Sequence, residues 1–359
     1  MNRSRITLAG LIALIAIGLT WPAWRRSVSP GRPAPLVVYC AHDAVFSEQI
    51  LRDFEKRTGI PIEIRFDTEA TKSLGLVNLI IQESPHPRCD VFWNNQVLST
   101  MELQQRGLLE PYRGLGFERI PPRFKDVDGH WTGFAARLRV YILRVPPGTR
   151  PDTPSTPDSE RDAISSPEAF ADLPKQLNHW AIAKPLYGTT NSHYALLWHL
   201  WGEEKLKSWH RELRRRGIRE ASGNGAVKNL VAEGICEAGF TDTDDFFAAK
   251  DDGKSVTMLP VLLDGKTISI PNSVAIIRGT KNRDAAQKLV DFLLSAETEL
   301  ALARSPARQI PLGIVDVTQL PDEVMDLRHA VLWADGPLDL LPAQTECLRW
   351  LKSEYLQGE

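Results

Sequence analysis

The sequence predicts an α/β fold with mostly parallel sheets flanked by helices. Short apolar runs rich in β-branched residues alternate with longer segments whose apolar residues recur at helical spacing. This alternation is typical of parallel strands joined by right-handed crossover helices. The chain has 359 residues, 43% of them hydrophobic and 25% charged, which is sufficient for two lobes. Its net charge of −2 argues against a nucleic-acid-binding surface.

The alternation is clearest in the first part of the chain. Strands are predicted at 36–40, 61–66 and 90–93, and helices at 46–58, 74–80 and 98–105. The carboxyl ends of parallel strands meet at one edge of a sheet, which is where open α/β sheets bind ligands. We therefore expect His42, Asp43 and residues 94–96 at the same edge.

The middle of the chain predicts a second lobe inserted into the first. A long strand at 134–145 carries Arg137 and Arg139 on one face, and a long apolar strand at 268–277 returns to the first lobe. Between them lie predicted strands at 181–183, 238–240 and 256–263 and a surface loop at 146–167. The predicted bounds are 36–136 with 271–359 for lobe 1 and 137–270 for lobe 2.

A dense acidic run follows one of these strands. Asp242, Asp244 and Asp245 come directly after the small apolar segment 238–240, which is typical of the end of a buried strand. Carboxylates this close repel one another, so a cation or a hydrogen-bonded amine is a natural partner. The alternative is a solvated acidic turn in which Asp244 or Asp245 caps the next helix.

Two loop-to-helix transitions carry groups suited to an anion. Thr189 and Thr190 follow Gly188 at the start of an apolar helix, and Asn224 lies in the loop 221–225 before another. A helix amino terminus attracts anions through its backbone N–H groups. The alternative is that these residues only cap their helices.

The amino-terminal segment indicates export. Two arginines precede the apolar run 6–24, which is typical of a secretory signal and is also just long enough to span a bilayer. Residues 1–26 are therefore expected to be a signal peptide or an N-terminal membrane anchor. The proline-containing segment 27–35 is expected to be a linker.

The cysteines do not predict a metal site. The four cysteines show neither a C-x-x-C pair nor zinc-ligand spacing. Export permits a disulfide, and Cys40 with Cys89 is the pairing to consider. Buried free thiols are the alternative.

Four segments share a more specific pattern. They are CDVFWNNQ at 89–96, RGLLEP at 106–111, IPNSVA at 270–275 and the helix at 282–295 before Glu297. In this order they resemble the ferric-iron-binding branch of the type II periplasmic solute-binding proteins, over roughly residues 36–345. The resemblance implies a two-lobe periplasmic-binding-protein-like II fold. Each lobe would be a mostly parallel sheet flanked by helices, and two crossover strands would join the lobes around a ligand cleft.

The resemblance also implies the ligand-binding positions. The family's histidine after the first strand falls on His42 or Asp43, its glutamate on Asn95, and its tyrosine pair on Asp244 and Asp245. The other matching positions are Gln96, Arg137, Thr189, Thr190, Asn224 and Asp242. Asp43, Asp244 and Asp245 are the implied metal ligands. Arg137 is the implied anion contact, because a guanidinium can grip a carboxylate or phosphate through two hydrogen bonds.

These features lead us to expect a monomeric extracytoplasmic solute-binding protein that delivers its ligand to an ABC permease. The expected ligand is ferric iron or another hard metal with a synergistic anion. The alternatives are a small amine, phosphonate or phosphate-bearing solute, and a membrane-anchored sensor domain. No cofactor beyond a bound metal is expected. An enzyme is disfavoured because the sequence has no nucleophile elbow, His-rich metal motif or P-loop.

Overall fold

The structure is a computed structural model that describes residues 34–67, 74–146, 176–263, 266–333 and 340–356. The predicted signal peptide or anchor, nearly all of the linker 27–35 and nearly all of the predicted loop 146–167 lie outside these ranges. Among the described residues, no helix combines the length and the apolar character needed to cross a bilayer.

The elements alternate much as the sequence predicts. The strands are β1 (Leu36–Cys40), β2 (Ile62–Phe66), β3 (Val91–Asn94), β4 (Leu109–Glu110), β5 (Thr132–Arg144), β6 (Trp180–Ala183), β7 (Arg219–Ala221), β8 (Ala238–Asp242), β9 (Val256–Pro260), β10 (Leu262–Leu263), β11 (Lys266–Thr267) and β12 (Ser269–Ile277). The helices are α1 (Ala44–Thr58), α2 (Leu74–Gln82), α3 (Leu98–Gln105), α4 (Gly188–Trp201), α5 (Glu203–Arg215), α6 (Asn224–Ala232), α7 (Thr243–Asp251), α8 (Arg283–Leu293), α9 (Ala296–Arg304), α10 (Asp322–Trp333) and α11 (Leu341–Trp350).

Local sequence accounts for these boundaries. In α1, Ile50, Leu51 and Phe54 are buried at helical spacing, so this face packs on the sheet. The helix ends at Gly59, whose φ of 69° lies in the left-handed region that a residue without Cβ adopts at low cost. The prediction of a helix ending at Gly59 is confirmed.

The main sheet has the order β2-β1-β3-β12-β5-β8-β6-β7, with β4 on β12 and β9 on β5. Strand β1 pairs in parallel with β2 and β3. Strand β6 pairs in parallel with β7 and β8. The central strands β5 and β12 run antiparallel to each other and to their outer neighbours. The predicted parallel pairing therefore holds for the outer strands, and the long strands interrupt it.

Strand β5 changes partner half-way along its length. Its first part, Thr132 to Leu138, pairs with β12, and its second part, Arg139 to Leu143, pairs with β8. It thus connects the β1/β3 part of the sheet to the β6/β8 part, which is how a crossover strand is expected to run. The lobe bounds given above remain a prediction.

The state of the cysteines decides between a disulfide and buried free thiols. All four are buried free thiols, so Cys40 and Cys89 form no disulfide. Burial raises the pKa of the Cys89 thiol well above its usual range, which keeps it protonated and unreactive.

Candidate functional site

A cavity of about 220 Å³ opens at the carboxyl ends of the strands. Its lining residues come from the ends of β1, β3, β6, β7 and β8, from the helices that follow them and, for Arg137, from the middle of β5. They are Asp43, Val45, Phe46, Asn95, Arg137, Ala183, Lys184, Tyr187, Gly188, Thr189, Thr190, Ser222, Gly223, Asn224, Gly225, Lys228, Asp242, Asp244, Asp245 and Ala248. This volume is enough for several water molecules or a small solute.

The cavity brings together most of the predicted site residues. Asp43, Asn95, Arg137, Thr189, Thr190, Asn224, Asp242, Asp244 and Asp245 all line it. His42 and Gln96 do not. His42 is buried against Gln309, with its Nε2 2.7 Å from the Gln309 side-chain amide. The Gln96 side chain turns back to hydrogen-bond Ser99 at the start of α3.

Asp242 lines the cavity and accepts three hydrogen bonds. Its Oδ1 accepts from Arg139 Nη1 at 2.7 Å. Its Oδ2 accepts from Thr189 Oγ1 at 2.6 Å and from Asn224 Nδ2 at 2.9 Å. Asp242 therefore ties together β5, β8 and the amino-terminal turns of α4 and α6. These donors occupy three of its about four lone-pair sites, so its main role is to hold these helix termini in place.

Arg139 is the residue of this network that sequence reasoning missed as part of the site. Its side chain is fully buried (0% exposed) and forms an ion pair with Asp242. Its Nε and Nη2 have no hydrogen-bond partner among the described residues. The sequence placed Arg139 on the same strand face as Arg137, but only the pairing of β5 with β8 sets it opposite Asp242.

His193 lies one helical turn after Thr189 in α4 and is also buried beside this network. Burial, reinforced by the nearby Arg139 guanidinium, lowers the pKa of His193 well below its usual range. The imidazole is therefore neutral at physiological pH, and the cationic charge under the cavity comes from the arginines.

Asp244 and Asp245 lie in the first turn of α7, above Asp242. Asp244 is 6% exposed, and its Oδ1 accepts from the Asp245 backbone N–H at 3.0 Å. Asp245 Oδ2 accepts from Thr241 Oγ1 at 2.6 Å. One ligand oxygen from each of Asp242, Asp244 and Asp245 lies within 4.8 Å of the others. Oxygen atoms at this spacing suit a hard cation.

The helix-capping alternative for Asp244 and Asp245 is wrong. Strand β8 continues two residues beyond the predicted end, and Asp242 occupies the N-cap position of α7. The Asp242 carboxylate does not cap that helix, because it is engaged by Arg139, Thr189 and Asn224. Asp244 and Asp245 therefore lie within the first turn of the helix and line the cavity.

Arg137 lies between the acidic residues and the β3 end. Its Nη2 donates to the Asn95 carbonyl at 2.7 Å. Its Nε lies 3.7 Å from Asp242 Oδ2 and 3.6 Å from Asp244 Oδ2. This guanidinium supplies positive charge to the acidic cluster, and its bonds to the protein occupy the edge that a bidentate anion contact would need.

The cavity lining also includes groups suited to an anion. It carries Lys184, Lys228 and Ser222 together with the amino termini of α4 and α6. Thr190 Oγ1 donates to Asn224 Oδ1 at 3.0 Å, which links the two helix starts. Lysine ammonium groups and backbone N–H groups at helix termini both favour negative charge.

The comparisons with known proteins fit this geometry. A family model described as bacterial extracellular solute-binding protein matches residues 36–305. The chain belongs to this family. The Fe(3+)-binding periplasmic protein of Serratia marcescens is 24% identical over 239 residues, 66% of this chain and 64% of that protein.

Two solved structures are similar in fold. Apo ferric ion-binding protein A from Pasteurella haemolytica superposes with a TM-score of 0.71 at 19% identity, covering 89% of this chain and 97% of that one. The periplasmic binding protein AfuA from Actinobacillus pleuropneumoniae, with fructose-6-phosphate bound, has a TM-score of 0.65 at 20% identity, covering 90% and 99%. The predicted α/β periplasmic-binding-protein-like fold is thus confirmed.

Proposed function

We propose that this solute-binding protein captures ferric iron, or another hard metal ion, together with an anion and delivers both to an ABC importer. The observation that carries the proposal is that one cavity is lined by both carboxylates and cationic groups. Asp43, Asp244 and Asp245 line it together with Lys184 and Lys228. Asp43, Asp244 and Asp245 are the proposed metal ligands.

Charge and size both favour a metal–anion pair over a bare ion. Four carboxylates and three cationic side chains line the cavity, with Arg139 directly behind Asp242. A trivalent cation alone would leave a large uncompensated positive charge beside Arg137 and the lysines. The cavity is also far larger than a single ion, so an oxyanion would complete the coordination and fill the space.

The geometry of the chain supports a hinged capture. The two lobes would close on the ligand by bending at β5 and β12, the strands that connect them. Lobe 1 would comprise 36–136 and 271–359, and lobe 2 would comprise 137–270. Asp43 and Asn95 would contribute from the first lobe, and the acidic run and the helix termini from the second. Like the relatives named periplasmic, the protein would act outside the cytoplasm, either released from its amino-terminal segment or anchored by it.

A second candidate is a small phosphate-bearing solute. The likeness to AfuA with fructose-6-phosphate bound and the presence of Ser222 and Lys228 in the cavity lining both favour it. A phosphate at α4 and α6 would leave the carboxylates to hydrogen-bond hydroxyl or amine groups of the same solute.

Thermal unfolding separates the candidates. Purified protein would be titrated with ferric nitrilotriacetate plus inorganic phosphate, with phosphate alone, and with fructose-6-phosphate. A ligand at a hundredfold excess over Kd adds about 2.7 kcal/mol of stability. For a chain of this size that corresponds to a rise of roughly 4 °C in Tm. The proposal requires this rise with metal and anion together, and its absence with both refutes the metal assignment.

The matched variants locate the site. Replacing Asp244 and Asp245 with Asn should abolish the metal-dependent rise. The group Asp126, Asp128 and His130 also brings three ligand atoms within 4.8 Å of one another, outside the cavity. Replacing Asp126 and Asp128 with Asn is therefore the control, and it should leave the metal-dependent rise intact.

A further inference from the structure

Gln309 is a buried polar side chain behind the cavity wall. It follows α9 in the chain and its side chain is 0% exposed. With the amide turned so that its oxygen faces the cationic donors, the oxygen accepts from Arg137 Nη1 at 3.2 Å and from His42 Nε2 at 2.7 Å, and the nitrogen lies 2.6 Å from Asn272 Nδ2. The nitrogen then donates to the Ala135 carbonyl at 3.0 Å. Gln309 thus contacts Arg137 from the side opposite the acidic cluster.

Backbone hydrogen bonds to β5 fix the segment that contains Gln309. Ala136 and Ile310 exchange two backbone hydrogen bonds of 2.7 Å, which attaches the segment after α9 to β5. The fully buried Glu299 accepts from the backbone N–H groups of Ala135 and Leu312 at 3.0 and 2.9 Å. Ala135 has a φ of 42°, a left-handed conformation that a non-glycine residue keeps only when its surroundings enforce it.

The consequence for Arg137 is a fixed orientation. Its Nη2 is held by the Asn95 carbonyl and its Nη1 by Gln309 and, at 3.4 Å, by Asn272 Oδ1. Its Nε faces the carboxylates and lies 3.6 Å from Asp244 Oδ2. A guanidinium free to turn could instead offer Asp244 two parallel N–H groups, the stronger arrangement.

We propose that Gln309 is a positioning residue that restrains Arg137 and so limits how strongly this arginine competes with a cation for Asp244. The inference rests on the proposed function, because it takes the cation to be a metal ion. With the restraint, Arg137 partly neutralises Asp244 from a distance of 3.6 Å. Without it, Arg137 forms a bidentate pair with Asp244 that a metal ion must break.

The first test compares two replacements of Gln309 in the binding of ferric nitrilotriacetate with inorganic phosphate. Gln309→Leu removes the acceptor and should weaken metal binding about tenfold, the size of one charge-assisted hydrogen bond. Gln309→Glu keeps an oxygen acceptor for Arg137 and should bind at least as tightly as the native chain. A merely structural role would weaken binding in both variants, and that result overturns the proposal.

The second test asks whether the effect passes through Arg137. In an Arg137→Met background, Gln309→Leu should leave metal affinity unchanged, because the competing guanidinium is gone. An equal loss in both backgrounds overturns the positioning role.

A third measurement needs no ligand. A double-mutant cycle on urea unfolding, with Gln309→Leu and Arg137→Met, should be nonadditive by at least about fivefold in the unfolding equilibrium constant. An additive cycle overturns the positioning role whether or not metal binds. A native chain that binds no metal, with a nonadditive cycle, overturns the proposed function but upholds the contact. The two failures are thus distinguishable.

Discussion

Replacing Asp242 with Asn should destabilise the protein strongly, because it removes the charge that compensates Arg139. The Arg139 side chain is 0% exposed, and Asp242 Oδ1 lies 2.7 Å from its Nη1. Breaking a buried ion pair from one side costs about 3–5 kcal/mol, since the remaining charge stays buried. At an unfolding entropy of about 2.1 cal/mol/K per residue over roughly 320 residues, Tm should fall by about 4–7 °C.

The carboxylate of Glu212, which is 35% exposed and also pairs with Arg216, provides a matched control. Arg215 Nε lies 2.7 Å from Glu212 Oε2, the same separation as in the buried pair, but the Arg215 side chain is 71% exposed. Solvent screens such a pair, so Glu212→Gln should leave Tm unchanged within error. The contrast between the two variants isolates burial as the cause.

A double variant tests whether the uncompensated charge of Arg139 causes the loss of stability. Combining Asp242→Asn with Arg139→Met removes the uncompensated charge and should recover part of the lost stability, which circular dichroism during heating would measure. A loss below about 1 kcal/mol for Asp242→Asn alone would refute the reasoning, because it would mean that Arg139 reaches water.

Two further predictions concern pH and the anion. Burial lowers the pKa of His210 from 6.5 to about 4, so below pH 6.5 the unfolded chain binds a proton that the folded chain refuses. Stability should therefore fall by about 3 kcal/mol between pH 6.5 and pH 4, and His210→Asn should flatten this part of the profile; equal slopes in the two proteins would contradict it. Lys228→Met should weaken phosphate binding about tenfold in calorimetry, whereas Lys250→Met, which removes an exposed partner of Glu323, should not. Equal losses of phosphate affinity in the two variants would show that phosphate binding depends only on the overall charge of the protein.

Local sequence was sufficient for most of the architecture. The alternation of apolar runs and helical periodicity placed α1, α3 and β12 within one or two residues of their observed bounds. These elements follow from side-chain spacing and from stop signals such as Gly59, which act over a few residues. The positions of Asp43, Asn95 and the acidic run at strand ends also predicted that they lie near one another, because chain direction in a parallel sheet decides which ends meet. All of them line the cavity.

Local sequence could not assign roles within that cavity. Asp242, Asp244 and Asp245 look alike as a run, yet Asp242 accepts hydrogen bonds from Arg139, Thr189 and Asn224 and so holds the scaffold together. The extension of β8 to residue 242 decides this, because it turns Asp242 toward β5 and carries the next two carboxylates into α7.

The sequence by itself therefore determined the fold class, the family and the edge of the sheet at which ligand chemistry gathers. Only the tertiary structure decided which charges neutralise each other. Arg139 meets Asp242 through the register of β5 and β8, and Gln309 reaches Arg137 through a backbone bridge between segments far apart in the chain. Such pairings depend on register and on long-range packing, which no short window of residues encodes.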